Sequence, residues 1–141
     1  MPAIIPESHR DLFTRPVYGI LTTLLPDGAP QMSVIWVDSD GADVLINTTL
    51  ERRKGRDLAA DPRATVLVVD PANSARWIEV RGHVTALTRE GAVAHADRLA
   101  LRYDGKAHFY GDIYPAAQEA RETRVIARLT PDHVACDAIF P

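Results

Sequence analysis

Arg76-Trp77-Ile78-Glu79-Val80-Arg81-Gly82-His83-Val84-Thr85-Ala86-Leu87 is the stretch on which the reading of this fold turns. Trp77, Glu79 and Arg81 alternate with Ile78 and Val80, the period of a strand with one buried face. Gly82 interrupts the run. A residue without a Cβ in mid-strand marks a bulge or sharp bend, as a closing barrel requires. Just before it, Ala64 to Asp70 holds the β-branched run Thr65-Val66-Leu67-Val68-Val69, which reads as a buried strand. Towards the C-terminus, Arg124 to Leu129 and His133 to Ile139 read as two strands flanking a turn at Thr130-Pro131-Asp132.

The N-terminal half continues the pattern. Pro6 to Thr14 reads as a short helix anchored by Leu12 and Phe13, and Val17 to Leu25 as a strand. Pro26-Asp27-Gly28 supplies a tight turn, so its hairpin partner is Pro30 to Asp38, where Met32, Val34 and Trp36 alternate with Gln31, Ser33 and Ile35. A second turn, Ser39-Asp40-Gly41, leads into Val44-Leu45-Ile46. Arg52 to Ala60 is a short helix stopped by Asp61-Pro62, because proline disfavours helical geometry in the residue before it. The clearest helix begins at Thr88 and runs through Tyr103 to Asp104-Gly105. Lys106 to Glu122 reads as loop, with one helical turn around Ala116 to Ala120. About seven strands and few helices indicate a mainly β, small antiparallel barrel.

Composition bounds the function. The 141 residues fit one domain spanning 1–141, with 46% hydrophobic and 25% charged residues, an ordinary globular balance. A net charge of −3 argues against a nucleic-acid binder, which would be basic. Cys136 is the sole cysteine, so no internal disulfide can form, as suits a reducing compartment. Residues 1–15 have no apolar signal core, and no apolar run approaches the roughly 20 residues that span a bilayer. The expectation is a soluble, cytoplasmic protein without membrane or nucleic-acid partners.

Against that acidic background, Arg52-Arg53-Lys54-Gly55-Arg56 concentrates positive charge where a strand ends and a helix begins. Helix-start N–H groups with clustered Arg and Lys form an anion receptor; a solvated basic face is the other reading of the same residues. Helical spacing cannot put all four cations on one face. The five histidines are too dispersed for metal-ligand spacing, and no nucleophile–base pair is evident, so no catalytic side chain and no metal site is assigned. Cys136 is expected to be an inert packed thiol, and Tyr110 and His108 to lie at the surface.

Several segments, in order, resemble the split β-barrel superfamily of flavin and deazaflavin oxidoreductases that includes pyridoxamine 5′-phosphate oxidase. Gly19 to Leu24 with Asp27-Gly28-Ala29-Pro30-Gln31 resembles its opening hairpin, and Trp77 to Val84 its long strand. Ile46-Asn47-Thr48 through Arg52 to Leu58, then Asp61-Pro62-Arg63-Ala64, resembles its cofactor-phosphate segment. Within the superfamily the chain is most similar to the group that uses the deazaflavin coenzyme F420. Arg52-x-Lys54-x-x-Asp57-Leu58 follows that group's pattern, although many members have Asn in place of Asp57.

The resemblance implies a six- to seven-stranded antiparallel Greek-key split barrel with peripheral helices. It implies a homodimer with a coenzyme at the subunit interface and hydride transfer between reduced F420 and an unsaturated, conjugated small molecule. FMN is the alternative cofactor, because Arg53-Lys54 also fits the Arg-Lys pair of the FMN oxidases; a non-catalytic cofactor- or haem-binding module is the second alternative. In this assignment Arg52, Arg53 and Lys54 hold phosphate, Asn47 and Thr48 complete its cup beside Ile46, and Gln31, Ser33, Val34, Ile35 and Trp36 lie along the ring. Trp77 is contributed by the partner subunit, to the ring or to the interface. Arg76 and Lys106 are surface cations within conceivable reach of a polyglutamate tail.

Overall fold

Turn chemistry sets the first pairing. Gly28 takes φ 86°, the Asp27 carboxylate accepts the Ala29 N–H at 2.9 Å, and β1 (Gly19–Leu24) folds back on β2 (Pro30–Ile35) with Gly19 opposite Ile35. The computed structural model describes residues 2–138. Five further strands follow: β3 (Asp38–Ser39), β4 (Val44–Thr49), β5 (Arg63–Val69), β6 (Arg76–Thr88) and β7 (Arg124–Ala138). All neighbours pair antiparallel, in the order β2-β1-β5-β6-β7-β4-β3.

That order closes the sheet. Its two edges, β2 and β3, are joined only by Trp36 and Val37. Flat, seven strands at about 4.8 Å spacing would hold their edges about 29 Å apart, whereas the step from Ile35 to Asp38 reaches no more than about 11 Å. The sheet must therefore curl until its edges meet. The result is the mainly β, split-barrel architecture expected from the sequence.

One side of each strand fills the interior. Leu21 from β1, Val66 and Val68 from β5, Ile78 and Val80 from β6, Ile46 from β4, and Ala127 and Leu129 from β7 are all fully buried, and Ile5, Leu12 and Phe13 plug one end. Gly82 is required by close approach, since a Cβ there would lie 2.0 Å from the Thr130 carbonyl oxygen. The register shifts at this point: Arg81 pairs with His133 but Gly82 pairs with Pro131, leaving Asp132 as the extra residue. Thr130-Pro131-Asp132 is thus a bulge in one long β7 and not a turn between two strands. Proline lacks the N–H that a ladder needs, and a bulge removes that demand. Ile139, expected to end this strand, lies outside the described residues.

Other boundaries move as well. β4 runs on to Thr49, so Asn47 and Thr48 sit within a strand and not after it. The expected N-terminal helix is a 3₁₀ turn (Glu7–His9) followed by α1 (Asp11–Thr14). α2 covers Arg53–Ala60, and α3 covers Ala92–Asp104, starting later than Thr88 because β6 extends to that residue. Cys136 is exposed and not packed. Arg76 is no surface cation: its guanidinium contacts the carboxylates of Asp11 and Asp70 and the Ser8 carbonyl, with its side chain 17% exposed. Among the described residues, no helix is long and apolar enough to cross a membrane.

Candidate cofactor-binding site

The junction between β4 and α2 builds the floor of the site. α2 approaches the end of β4 so closely that a Cβ on Gly55 would sit 1.9 Å from the Thr49 carbonyl oxygen. Any side chain there would push the helix, and Lys54 with it, away from the strand. Asp57 clamps the other side of α2: it is 3% exposed, accepts the Thr23 hydroxyl at 3.0 Å and pairs with Arg53 at 3.1 Å. Arg53 is thereby turned along the helix, and with Arg56 it lines a separate shallow groove beside Leu24 and Pro26.

The two cations left, Arg52 and Lys54, face a cavity of about 210 Å³. Asn47 and Thr48 from β4, Val34, Ile35 and Trp36 from the end of β2, and Arg124 from the start of β7 line the same space. Tyr18, Phe109 and Tyr114 form an aromatic wall. Behind it Trp36 stacks on Tyr103 at 5.2 Å, and Phe109 meets Tyr114 edge-on at 5.1 Å. The cations thus gather together in the cavity, with the Tyr114 ring against Arg52 and the Phe109 ring against Arg124.

Partners among these cations are unevenly shared. Arg124 is 8% exposed and held on three sides: it donates to Tyr110 Oη at 2.8 Å, Asn47 Oδ1 at 2.8 Å and Glu122 Oε2 at 3.1 Å, and lies 4.3 Å from the Phe109 ring centre. Burial would raise the Glu122 carboxyl, but hydrogen bonds from Tyr110, Gln118 and Arg124 outweigh it and hold it below the ordinary value. Tyr110 is pushed up, first by burial and then by its bond to Glu122. Arg52 donates to Tyr114 Oη at 2.5 Å and reaches Glu122 only at 4.0 Å. Lys54 has no hydrogen-bond or ion-pair partner among the described residues. Its ammonium is pushed below its ordinary 10.5, by burial first and then by repulsion from Arg52 and Arg124.

The Thr48 hydroxyl is buried beside these cations and, among the described residues, has no hydrogen-bond partner. A buried orphan donor and an uncompensated ammonium both cost the folded chain free energy unless something pairs them. A phosphate group in the cavity would offer both a partner. The residues present therefore fit an anionic group beside the cations and a flat ring against the aromatic and apolar lining.

Of the residues singled out in the sequence, the cavity gathers Val34, Ile35, Trp36, Asn47, Thr48, Arg52 and Lys54. It leaves aside Gln31, exposed on β2, Ser33 on the same strand, Ile46, which is core, Arg53, paired with Asp57, and Trp77, half-buried on β6. Arg124, Tyr18, Phe109 and Tyr114 belong to the site without having been singled out. Tyr110, expected at the surface, is 9% exposed and part of the Arg124 network, whereas His108 is exposed as expected.

The chain belongs to the pyridoxamine 5′-phosphate oxidase family, whose model matches residues 5–135. That is a family of oxidoreductases binding flavin-type cofactors. The fold is similar to a solved F420 reductase, with 35% identity over 93% of this chain and 98% of that one, at a TM-score of 0.79. It is also similar to a conserved hypothetical protein of Mycobacterium tuberculosis (21% identity, 96% and 86% of the two chains, TM-score 0.72). General stress protein 26 of Bacillus anthracis is likewise similar (16% identity, 90% and 88%, TM-score 0.61). These last two show the shared fold alone. No curated protein sequence matches the chain.

Proposed function

We propose that this oxidoreductase binds the deazaflavin coenzyme F420 and transfers a hydride between the reduced coenzyme and a planar, conjugated small molecule. The observation that carries the reading is the cluster of cations in the cavity, where, among the described residues, Lys54 lacks a partner beside Arg52, Arg124 and the orphan Thr48 hydroxyl. The 35% identity to an F420 reductase supports the deazaflavin over FMN.

When bound, the coenzyme supplies the ring carbon that gives or takes the hydride. The chain's own residues bind and orient. Arg52 holds a phosphate through forked donors, Lys54 as a point charge, and Thr48 and the first N–H groups of α2 complete the cup. Val34, Trp36, Tyr18 and Tyr114 form an apolar flank that excludes water from the ring. No side chain is assigned as acid or base.

A second copy of the chain completes the site in this reading. Met32 and Val34 on β2 are 61% and 62% exposed, and Tyr18 beside them is 55% exposed. Pairing would cover this apolar strip, and the partner's copy of Trp77 would approach the ring across the interface.

Titration of purified protein with F420 and with FMN tests the reading, followed by oxidation of the reduced coenzyme with a panel of quinones and enones. The expected result is F420 uptake, FMN lost on gel filtration, and turnover with at least one acceptor. A preparation that retains FMN, or that shows a haem Soret band, overturns it. Light scattering on the same sample should give twice the 15.5 kDa chain mass, and a single-chain mass defeats the dimer.

A further inference from the structure

Asn47 is set in place from behind the cavity. Its amide nitrogen donates to the Ala92 carbonyl at 2.8 Å and to His95 Nδ1 at 3.0 Å, while its oxygen accepts from Arg124 Nη1 at 2.8 Å. With Nδ1 accepting, the imidazole proton sits on Nε2, which donates to Asp38 Oδ2 at 2.9 Å. Asp38 Oδ1 accepts from Arg102 at 3.0 Å. Burial would raise the Asp38 carboxyl, but hydrogen bonds from His95, the Ser39 N–H and Arg102 hold it below the ordinary value. His95 itself is fully buried on α3 and does not line the cavity. A chain of hydrogen bonds thus runs from Arg124, whose guanidinium lines the cavity, through Asn47 and His95, each donating to the next, to Asp38, which Arg102 meets from the other side.

We propose that His95 is a positioning residue for the anion subsite, acting through Asn47 on Arg124. The imidazole acceptor, together with the Ala92 carbonyl, fixes which end of the Asn47 amide faces Arg124. With Nδ1 accepting, the amide oxygen meets the guanidinium; with the amide reversed, NH₂ would face guanidinium, donor against donor, and Arg124 would lose one of the three bonds that hold it in the cavity lining beside Arg52 and Lys54. His95 therefore sets affinity for the phosphate end of a coenzyme and not for its ring. The proposal rests on the reading of the cavity as a coenzyme site, but it holds for F420 or FMN alike.

The test compares ligand pairs that differ in the phosphate tail: F420 against the phosphate-free deazaflavin alcohol, and FMN against riboflavin. Affinities are measured for wild type, His95→Leu, His95→Gln and each in an Arg124→Gln background. His95→Leu should weaken the phosphate-bearing ligand on the order of tenfold, the scale of one charge-assisted hydrogen bond. It should leave the phosphate-free ligand within about twofold, the spread of an uncoupled site. His95→Gln, which retains one donor and one acceptor, should recover part of the loss. In the Arg124→Gln background the His95 effect should vanish.

Equal losses on both members of a pair, or an undiminished loss without Arg124, overturn the proposal. If only FMN and riboflavin bind, the F420 reading fails while the positioning claim is still decided by that pair. If neither pair binds wild type, both fall. Should His95→Leu unfold, long-range nitrogen NMR on wild type decides: a protonated Nε2 with bare Nδ1 supports the proposal, and a proton on Nδ1 overturns it.

Discussion

Replacing Lys54 by methionine should make the ligand-free chain more heat-resistant and its coenzyme complex much weaker. Lys54 is half-buried, lacks a partner among the described residues, and has its charged form disfavoured by burial and then by Arg52 and Arg124. Its folded-state pKa is lowered, so between that value and the ordinary 10.5 the unfolded chain binds more protons. Wild-type stability relative to the variant must then rise with pH across that window and be lowest, in relative terms, at neutral pH. Methionine keeps the stem and removes the charge.

The ligand-bound side has the opposite sign. A charge-assisted hydrogen bond contributes about 2 kcal/mol, so its loss raises Kd about 30-fold. At a coenzyme concentration of 100 times the wild-type Kd, binding stabilises wild type by about 2.7 kcal/mol and the variant by only about 0.9 kcal/mol. For 141 residues the unfolding entropy is about 0.3 kcal/mol per kelvin, so each kcal/mol moves Tm about 3.4 °C. Differential scanning fluorimetry should show a coenzyme-induced rise of about 9 °C in wild type and about 3 °C in Lys54→Met. A variant whose ligand-free Tm falls while its coenzyme-induced rise stays at the wild-type value refutes the reasoning on both counts.

Two further outcomes concern the frame. Gly82→Ala forces a Cβ to within 2.0 Å of the Thr130 carbonyl oxygen, so the β6–β7 bulge must open. Urea unfolding should show a loss of about 1–3 kcal/mol, and a loss under about 0.5 kcal/mol would mean the bulge is slack. Asp40 is held down to about 2: burial opposes the shift, but the Asp43 N–H, Arg128 and the Ala42 N–H outweigh it. Its contribution should be complete above the ordinary 3.8 and disappear as pH falls towards about 2. Solvent screening of this exposed pair limits the difference between wild type and Asp40→Asn to under about 1 kcal/mol, and acid unfolding curves that run parallel down to pH ~2 would contradict it.

How far the sequence carries the site depends on how local each contact is. The Asp27-Gly28 hairpin, the Gly82 bulge and the basic helix start are encoded in a few adjacent residues, and all three appear in the structure where they were read. Arg124 was missed for a physical reason. It lies 77 positions from its partner Asn47, and only the β4–β7 register, which sets Thr49 opposite Arg124, brings the two together. Phe109 and Tyr114 fall in a segment without periodicity, so no pattern could assign them a face. Pro131 misled because its missing N–H reads equally as a turn or a bulge; the choice depends on Gly82, far away in sequence and adjacent in space.

The solvated-face reading of the basic cluster fails for part of it and holds for part. Arg56 is exposed and Arg53 is neutralised by Asp57, which is how surface cations on a helix behave. Arg52 and Lys54 instead line a cavity that already contains Arg124, where Glu122, 4.0 Å from Arg52, is committed to Tyr110, Gln118 and Arg124. Gly55 and Asp57 hold the helix so that Lys54 cannot retreat to water. Like charges fixed in a partly buried space, beside a hydroxyl with no partner among the described residues, raise the free energy of the folded chain by itself. A ligand anion would lower that free energy at every one of these groups together, and the same barrel closure that joins β2 to β3 brings Trp36 into the lining beside them.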